Sequence, residues 1–467
     1  MNCLNIRKPT CIVIGDIMVD VQLHGSIEKI ANEAPVPVLH IETRKEQLGG
    51  CGNVVMNLES LGCEKLFVIS TVGEDEGAAT LKRILGGYPI IVPYLYSDPS
   101  YCTIVKTRGF SNRKIIFRYD VETKYTLLDS HSEQILQALE EIVRNNSVDS
   151  IILSDYNKGC LTKELVEGVI AIARANSIRT FVDPKVEYAK YSGCTVFKPN
   201  VKELRDIFGI HYRHDRLEEI HATMKEKVNC EATLLTLAEN GMSFSAGDGG
   251  HIYESTEAAE VTDVTGAGDV VMSILAYYYG TMPNRALIQL ATWMGTHSVK
   301  HIGTYVLDRT AIIEAVRDIT RDKVISASAL QYLKHPTVVT NGCFDIVHEG
   351  HIALFNYCRS VRPPGGVVVV ALNGDESIRN LKGPTRPVNN LAARIALLNQ
   401  ISVIDWIVVF TEDTPFELYR QICPTILVKG GDYVAESLVG REYCSEVKIF
   451  TYVEGKSTTN IVEKIRS

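Results

Sequence analysis

At 467 residues the chain exceeds one ordinary core, and a prior of about 150 residues per domain predicts two or three. A formal net charge of −8 leaves no broad basic footprint and argues against nucleic acid as a partner, while 12 cysteines without a C-x-x-C pair exclude a disulfide framework and a thiolate zinc site. Apolar runs such as 11–14 and 367–372 are strand-sized, so no membrane contact or secretory leader is expected, and a reducing cytoplasm is the expected compartment.

The first predicted strand covers residues 10–14 and ends in Gly15-Asp16, with Asp20 just beyond. Ligands of open α/β sheets bind at strand C-termini, which makes Asp16 and Asp20 candidate acceptors for sugar hydroxyls. Gly49-Gly50-Cys51-Gly52-Asn53 precedes a helical pattern over 54–61. Glycines there let a sugar lie against bare backbone, and the Asn53 amide both donates and accepts, so Gly49, Gly50 and Asn53 join the candidate sugar site. Arg108, Arg113, Lys114 and Arg118 alternate with apolar residues, the pattern of a hairpin or lid whose cations are either solvated or turned to a substrate phosphate.

From residue 149 strands and helices alternate, which predicts a mostly parallel sheet covered on both faces. Asp183-Pro184-Lys185 follows one strand, and Lys198-Pro199-Asn200 opens a helix in which Glu203 lies one turn on. Asn200 and Glu203 are placed either to hold a hydrated Mg²⁺ beside nucleotide phosphates or to cap the helix; the spacing alone allows both. The most informative string is D-V-T-G-A-G-D, residues 263–269, followed by an apolar helix over 270–279. Gly266, Ala267 and Gly268 at a helix start aim backbone N–H groups and the positive end of the helix dipole at one point, an anion hole. Asp269 would repel the anion it adjoins unless it has another task, and general base for an attacking hydroxyl is that task.

With the glycine pair at 49–50, the N-x-x-E helix and the D-x-x-G-A-G-D loop in order, residues 10–310 resemble the ribokinase-like carbohydrate kinases. The strings E-A-P-V-P-V at 33–38, L-S-D-Y-N-K-G at 153–159 and D-P-K at 183–185 narrow the resemblance to the kinase half of the bifunctional heptose-phosphate enzymes. Cys51-Gly52 and Val21-Gln22 depart from that pattern, which expects alanines at the first pair and an arginine and an aromatic at the second. The resemblance places Lys185 in the sugar site.

A charged helix over 310–323 and a polar stretch over 326–335 separate a second unit, punctuated by Pro336. There Asn341-Gly342-Cys343-Phe344-Asp345 ends a strand, and His348-Glu349-Gly350-His351 opens a helix with both imidazoles on one face, able to donate to phosphate oxygens. A metalloprotease zinc site needs histidines four apart with a third ligand, so zinc is rejected. Asp375, Lys382, Arg386, Lys429 and the helix-opening Ser457-Thr458 supply further charges and phosphate donors. In series these strings resemble the cytidylyltransferase-like H-x-G-H enzymes, with Gly374 where a serine is expected. This resemblance makes His348, His351 and Lys382 catalytic and Asn341, Phe344, Asp345, Asp375, Arg386, Lys429, Ser457 and Thr458 nucleotide-binding, as the kinase resemblance makes Asn200 and Glu203.

The expected architecture is α/β throughout: a ribokinase-like three-layer domain with a small β lid over 1–318, a linker over 319–336, and a Rossmann-like nucleotidyltransferase domain over 337–467. Membership of the bifunctional family implies ATP-dependent phosphorylation of D-glycero-β-D-manno-heptose 7-phosphate at its anomeric hydroxyl. It further implies AMP transfer from ATP to heptose 1-phosphate, giving ADP-heptose for lipopolysaccharide core synthesis. ATP and Mg²⁺, a homodimer formed through the kinase domain and a separate bisphosphate phosphatase go with it. The alternative keeps the adenylyltransferase and makes the first domain a non-catalytic dimerisation scaffold.

Overall fold

A computed structural model describes residues 8–112, 114–247, 250–256, 262–431 and 438–451. Ser457, Thr458 and Arg113 lie outside the described residues. Two compact units divide between Ile312 and Ile313.

The first unit carries a nine-stranded sheet and a four-stranded one. Strands β1 (Thr10–Gly15), β2 (Ile17–Ile30), β3 (Pro37–Gly50), β4 (Lys65–Val72), β5 (Ile91–Ser97), β6 (Ile104–Ser111) and β7 (Lys114–Val121) are followed by β8 (Ser150–Ser154), β9 (Arg179–Asp183), β10 (Val196–Phe197), β11 (Ala232–Thr236), β12 (Met242–Ala246) and β13 (Ile252–Glu254). The large sheet runs β13-β12-β11-β10-β9-β8-β1-β4-β5, parallel except at its β11-β12-β13 end. Strand β1 lies between β4 and β8, so the strand order reverses beside it and opens a crevice past the C-terminal ends of β1 and β8. Asp16 follows β1 and Tyr156 follows β8, at that crevice.

Side chains alternate across the sheet. Ile12, Ile14, Ile151 and Leu153 enter one apolar cluster with Ile135, Leu139, Leu165 and Val169 from the helices Asp129–Asn145 and Lys163–Ala175. The small sheet, β3-β2-β6-β7, is the lid. The charge alternation at 108–118 marks only its β6 and β7; the period-two pattern Val19, Val21, Leu23, all buried, is the signal for β2.

The second unit is built on five parallel strands, β14 (Thr337–Gly342), β15 (Val367–Asn373), β16 (Trp406–Phe410), β17 (Ile426–Gly430) and β18 (Glu446–Phe450), in the order β16-β15-β14-β17-β18. Strand β15 shows why its sequence reads as an unbroken apolar run. Val367, Val369 and Ala371 pack into one core and Val368, Val370 and Leu372 into the other, so neither face meets water.

The stretch 319–336, expected as a linker, packs into this second unit. Val324 bridges Ile407, the Ile325 amide donates to the Ile407 carbonyl at 2.9 Å, and Ile325, Leu330 and Leu333 are buried in the cluster that holds Trp406. Its polar look hides three apolar anchors. Helix Arg309–Thr320 begins before the division, which falls earlier than residue 318.

Candidate active sites

In the first unit, helix Ala267–Tyr278 begins inside the signature loop, three residues earlier than the apolar run suggested. Gly266 caps it at φ +81°, a left-handed conformation that glycine adopts freely, and a Cβ there would lie 2.6 Å from Asn53 Nδ2. The amides of the first turn have no acceptor inside a helix, and they carry the positive end of its dipole. A cleft of about 1140 Å³ opens on this turn and is lined by Gly266, Ala267, Gly268, Asp269, Tyr156, Asp183, Lys185, Lys198, Asn200 and Glu203 among others.

Asp269 is 1% exposed. Its Oδ2 accepts from Asn53 Nδ2 at 2.8 Å and its Oδ1 from the Tyr156 hydroxyl at 2.7 Å. Burial pushes its carboxyl up to about 7, against the opposing pull of the Asn53 hydrogen bond. A carboxylate in that range is half ionised near neutrality and can take a proton.

The residues expected around a sugar divide. Asp16, also buried, turns its carboxylate onto backbone: Oδ2 accepts from the amides of Tyr156 at 2.9 Å and Lys158 at 3.0 Å, and Oδ1 from Cys160 at 3.1 Å. Burial, together with Asp155, raises it to about 6. Asp20 forms a buried ion pair with Arg108 at 2.9 Å, and a Cβ at Gly49 would fall 2.4 Å from Asp20 Oδ2, so glycine there makes room for the carboxylate. Gly50, at φ +59°, lies where a Cβ would meet the Asp16 carbonyl at 2.2 Å. Asn53 sits inside helix Cys51–Leu61, which starts before the expected residue 54, and it holds Asp269. Lys185, expected beside the sugar, ion-pairs with Glu203 at 2.9 Å.

Asn200 and Glu203 form the capping box: Asn200 Oδ1 accepts from the Glu203 amide at 2.8 Å, and Glu203 Oε2 accepts from the Asn200 amide at 2.9 Å. The same two residues line the cleft, so the cap and the position beside a ligand coexist. Two further residues join the site. Tyr156 stands in the string L-S-D-Y-N-K-G, but nothing in a sequence pairs it with an aspartate 113 positions away. Lys198, 2.9 Å from Asp183 and nearly buried, also faces the signature turn, 3.4 Å from where a Cβ of Gly268 would be.

In the second unit the switch point lies between β14 and β17, and Lys429 Nζ donates to Asn341 Oδ1 at 2.7 Å there. His348 and His351 open helix Glu349–Ser360 with rings stacked at 3.8 Å between centroids. Burial holds His351 down at about 4, with His348 and Lys382 adding repulsion, and burial lowers His348 too. Both are neutral near pH 7. The His348 Nδ1 atom is buried without a hydrogen-bond partner among the described residues.

Three expected nucleotide contacts are engaged by other groups of the chain. Phe344, 3% exposed, packs against His351 and Phe355 and supports the histidine from beneath. Asp345 accepts from the amides of Val388 and Asn389 and pairs with Arg386 at 3.0 Å, so its oxygens and that arginine hold the following loop. Asp375 is paired with Arg394 at 2.6 Å. Arg394, fully buried, also donates to the carbonyls of Cys343, Asn373 and Asn389, tying together the loops after β14 and β15. An isolated arginine on a predicted helix carries no sign of that role. Lys382 stands exposed at the end of helix Asp375–Lys382.

No helix among the described residues is long and apolar enough to cross a membrane, and no cluster of three or more His, Cys, Asp or Glu there could hold a metal ion.

Comparison with known proteins agrees with the two-unit organisation. Residues 8–311 match the pfkB family carbohydrate kinases, and residues 339–461 match the cytidylyltransferase-like family. Proteins named bifunctional protein HldE are similar over the whole chain. That of Aliarcobacter butzleri is 36% identical over 98% of this chain and 98% of its own, that of Helicobacter hepaticus 37% over 99% and 98%, and that of Vibrio atlanticus 36% over 97% and 96%. Two solved structures share the fold of the first unit: Arabidopsis thaliana ribokinase complexed with ribose and ATP (TM-score 0.52, 16% identity, 67% of this chain and 99% of that one) and Escherichia coli phosphofructokinase-2 in complex with potassium (TM-score 0.54, 14% identity, 68% and 100%). With a pfkB carbohydrate kinase and a cytidylyltransferase-like unit in the same order, and more than a third of all residues shared end to end, the chain belongs to the bifunctional HldE family, a kinase joined to a nucleotidyltransferase.

Proposed function

We infer that the two units catalyse separate steps of ADP-heptose assembly for the lipopolysaccharide core: phosphorylation of D-glycero-β-D-manno-heptose 7-phosphate at the anomeric hydroxyl, then transfer of AMP from ATP to heptose 1-phosphate. The observation that carries the first step is Asp269, a buried carboxyl near 7 at the rim of a cleft, fixed by two donors beside a helix N-terminus. Asp269 takes the proton of the attacking hydroxyl while the amides of Gly266, Ala267 and Gly268 steady the charge on the transferred phosphoryl group. That arrangement speaks against an inert scaffold. Asp16 after β1, Asp20 on β2 and Gly49 and Gly50 at the end of β3 are buried and shape the sugar side from beneath.

Mg²⁺ fits beside Glu203 only through water. Each carboxylate oxygen already serves one partner, and a carboxylate has about four lone-pair sites, which leaves room for bound waters. The ion would neutralise nucleotide phosphates, and Asn200 and Glu203 would orient its water shell.

In the second unit the substrate phosphate is already a nucleophile, so positioning and charge neutralisation supply the rate. His348, with an unsatisfied buried nitrogen, His351 and Lys382 donate to the α-phosphate of ATP, while Lys429 and Asn341 stand at the switch point. The exposed apolar side chains Ile115, Phe117, Tyr119 and Val121, alternate residues of β7, support a second copy covering the lid. Localisation in the cytoplasm follows from the phosphorylated substrates.

The first step leaves phosphates at both ends of the sugar, whereas the second uses a sugar with one. A separate phosphatase must act between them. Given heptose 7-phosphate and excess Mg-ATP, the purified chain is expected to accumulate the bisphosphate and to form ADP-heptose only after a bisphosphate phosphatase is added, with products followed by mass spectrometry. Asp269→Asn should lower bisphosphate formation by at least about a hundredfold, the usual worth of a general base. ADP-heptose without the phosphatase would refute the stalled sequence, and a loss of only a few-fold in the variant would refute the base.

A further inference from the structure

Asp269 needs more than burial to act as a base: one lone pair must face the sugar hydroxyl, and the carboxylate must not rotate away. Two neutral donors restrain it, Asn53 from helix Cys51–Leu61 and Tyr156 from the loop after β8. The asparagine is anchored by its own helix. Tyr156 is in a loop, and a loop residue needs a separate anchor.

That anchor is Asp16. The Asp16 carboxylate accepts from the amides of Tyr156, Lys158 and Cys160, three hydrogen bonds that gather the loop around one buried acid at the end of β1. The backbone amide of the residue whose hydroxyl holds Asp269 is thus itself held, and the span from β1 to the signature helix is bridged by two hydrogen bonds of 2.9 Å and 2.7 Å through a single tyrosine. Lys198, the cation whose charge acts on Asp269, is already paired with Asp183 at 2.9 Å.

We propose that Tyr156 is a positioning residue of the kinase step, aiming Asp269 and setting its basicity through a hydroxyl that stays a donor, with Asp16 holding the tyrosine's backbone in place. The proposal rests on the reading of Asp269 as general base. Tyr156 keeps its proton throughout the working range, because burial and the neighbouring Asp269 push its phenol well above the ordinary value. A donor to the ionised form favours that form, so the tyrosine works against the burial that raises Asp269. The other charged or titratable groups facing Asp269 are Asp183 at the end of β9, Lys198 after β10 and Cys51 on the helix that carries Asn53. None of these changes in the substitutions below.

Tyr156→Phe removes one oxygen and keeps the ring. In the full chain, the acid limb of kcat/KM for sugar phosphorylation should move to higher pH by about one unit, and kcat at pH 7 should fall roughly tenfold, the scale of one hydrogen bond to a charged group. The KM for ATP and the adenylyl-transfer rate should stay as they are. A 3,5-difluorotyrosine placed at position 156 keeps the volume but donates more strongly, and it should move the limb the opposite way. Opposite displacements are beyond a merely structural effect, and the fluorinated variant alone still tests the sign where the phenylalanine variant folds poorly. A limb that stays in place in both variants would overturn the proposal. Failure of the underlying reading is separately visible, as retained phosphorylation in Asp269→Asn.

Discussion

Removing the charge of Asp269 should stabilise the first unit, and by an amount that depends on pH. An ordinary aspartate titrates at 3.8, whereas this one is pushed up to about 7 by burial. Because the folded value is the higher, the group contributes most to stability below pH 3.8 and progressively less as pH rises to 7, where the fold must hold a charge that the unfolded chain carries easily. Asp269→Asn has no such titration. Whatever the amide gains or loses in hydrogen bonds to Asn53 and Tyr156 is the same at every pH, so the informative quantity is how the difference between variant and wild type changes. Between pH 5 and pH 8 the variant's advantage should grow by about 3 kcal/mol, the cost of ionising the buried acid over two pH units below 7 and the remainder above it. Titrating groups that do not touch Asp269 cancel in the comparison. The assay is urea unfolding at both pH values, read by fluorescence of Trp293, which is the only tryptophan of the first unit; Trp406, in the second, is replaced by phenylalanine in both proteins. A difference that stays constant within about 1 kcal/mol would show that folded Asp269 titrates as an ordinary carboxylate, and the argument from burial to basicity would fall.

Two predictions concern the second unit. His351→Gln should abolish adenylyl transfer while sparing the kinase; since His351 is held down at about 4, the wild-type transfer rate should show no histidine limb between pH 6 and 8, and such a limb in a pH-rate profile would contradict a neutral, buried imidazole. Arg394→Met leaves Asp375 and three carbonyls without their donor and should destabilise this unit by about 3 kcal/mol, seen as a lower melting temperature in calorimetry with kinase activity retained; an unchanged transition would mean that water replaces the guanidinium at little cost.

Local physics wrote the elements and the reactive centres into the sequence. Strands such as β15 announce themselves because an unbroken Val run can be satisfied only by burial on both faces, and the signature turn does so because glycine alone tolerates φ +81° at Gly266. The lone carboxylate after an anion hole, and two histidines three apart at a helix start, are short-range patterns whose chemistry does not depend on the rest of the fold. What only the tertiary structure decided is which group answers which across long separations. Tyr156 meets Asp269, Lys198 meets Asp183, and Arg394 gathers Asp375 with loops tens of residues distant; these pairings follow from strand order, which no local pattern encodes. The same reason explains where expectation and structure part. Asp16 and Asp345 carry the residue type and the strand-end position of ligand-binding acids, yet backbone amides and an arginine fill their oxygens, because a buried carboxylate must be satisfied by whatever the folded chain brings near it.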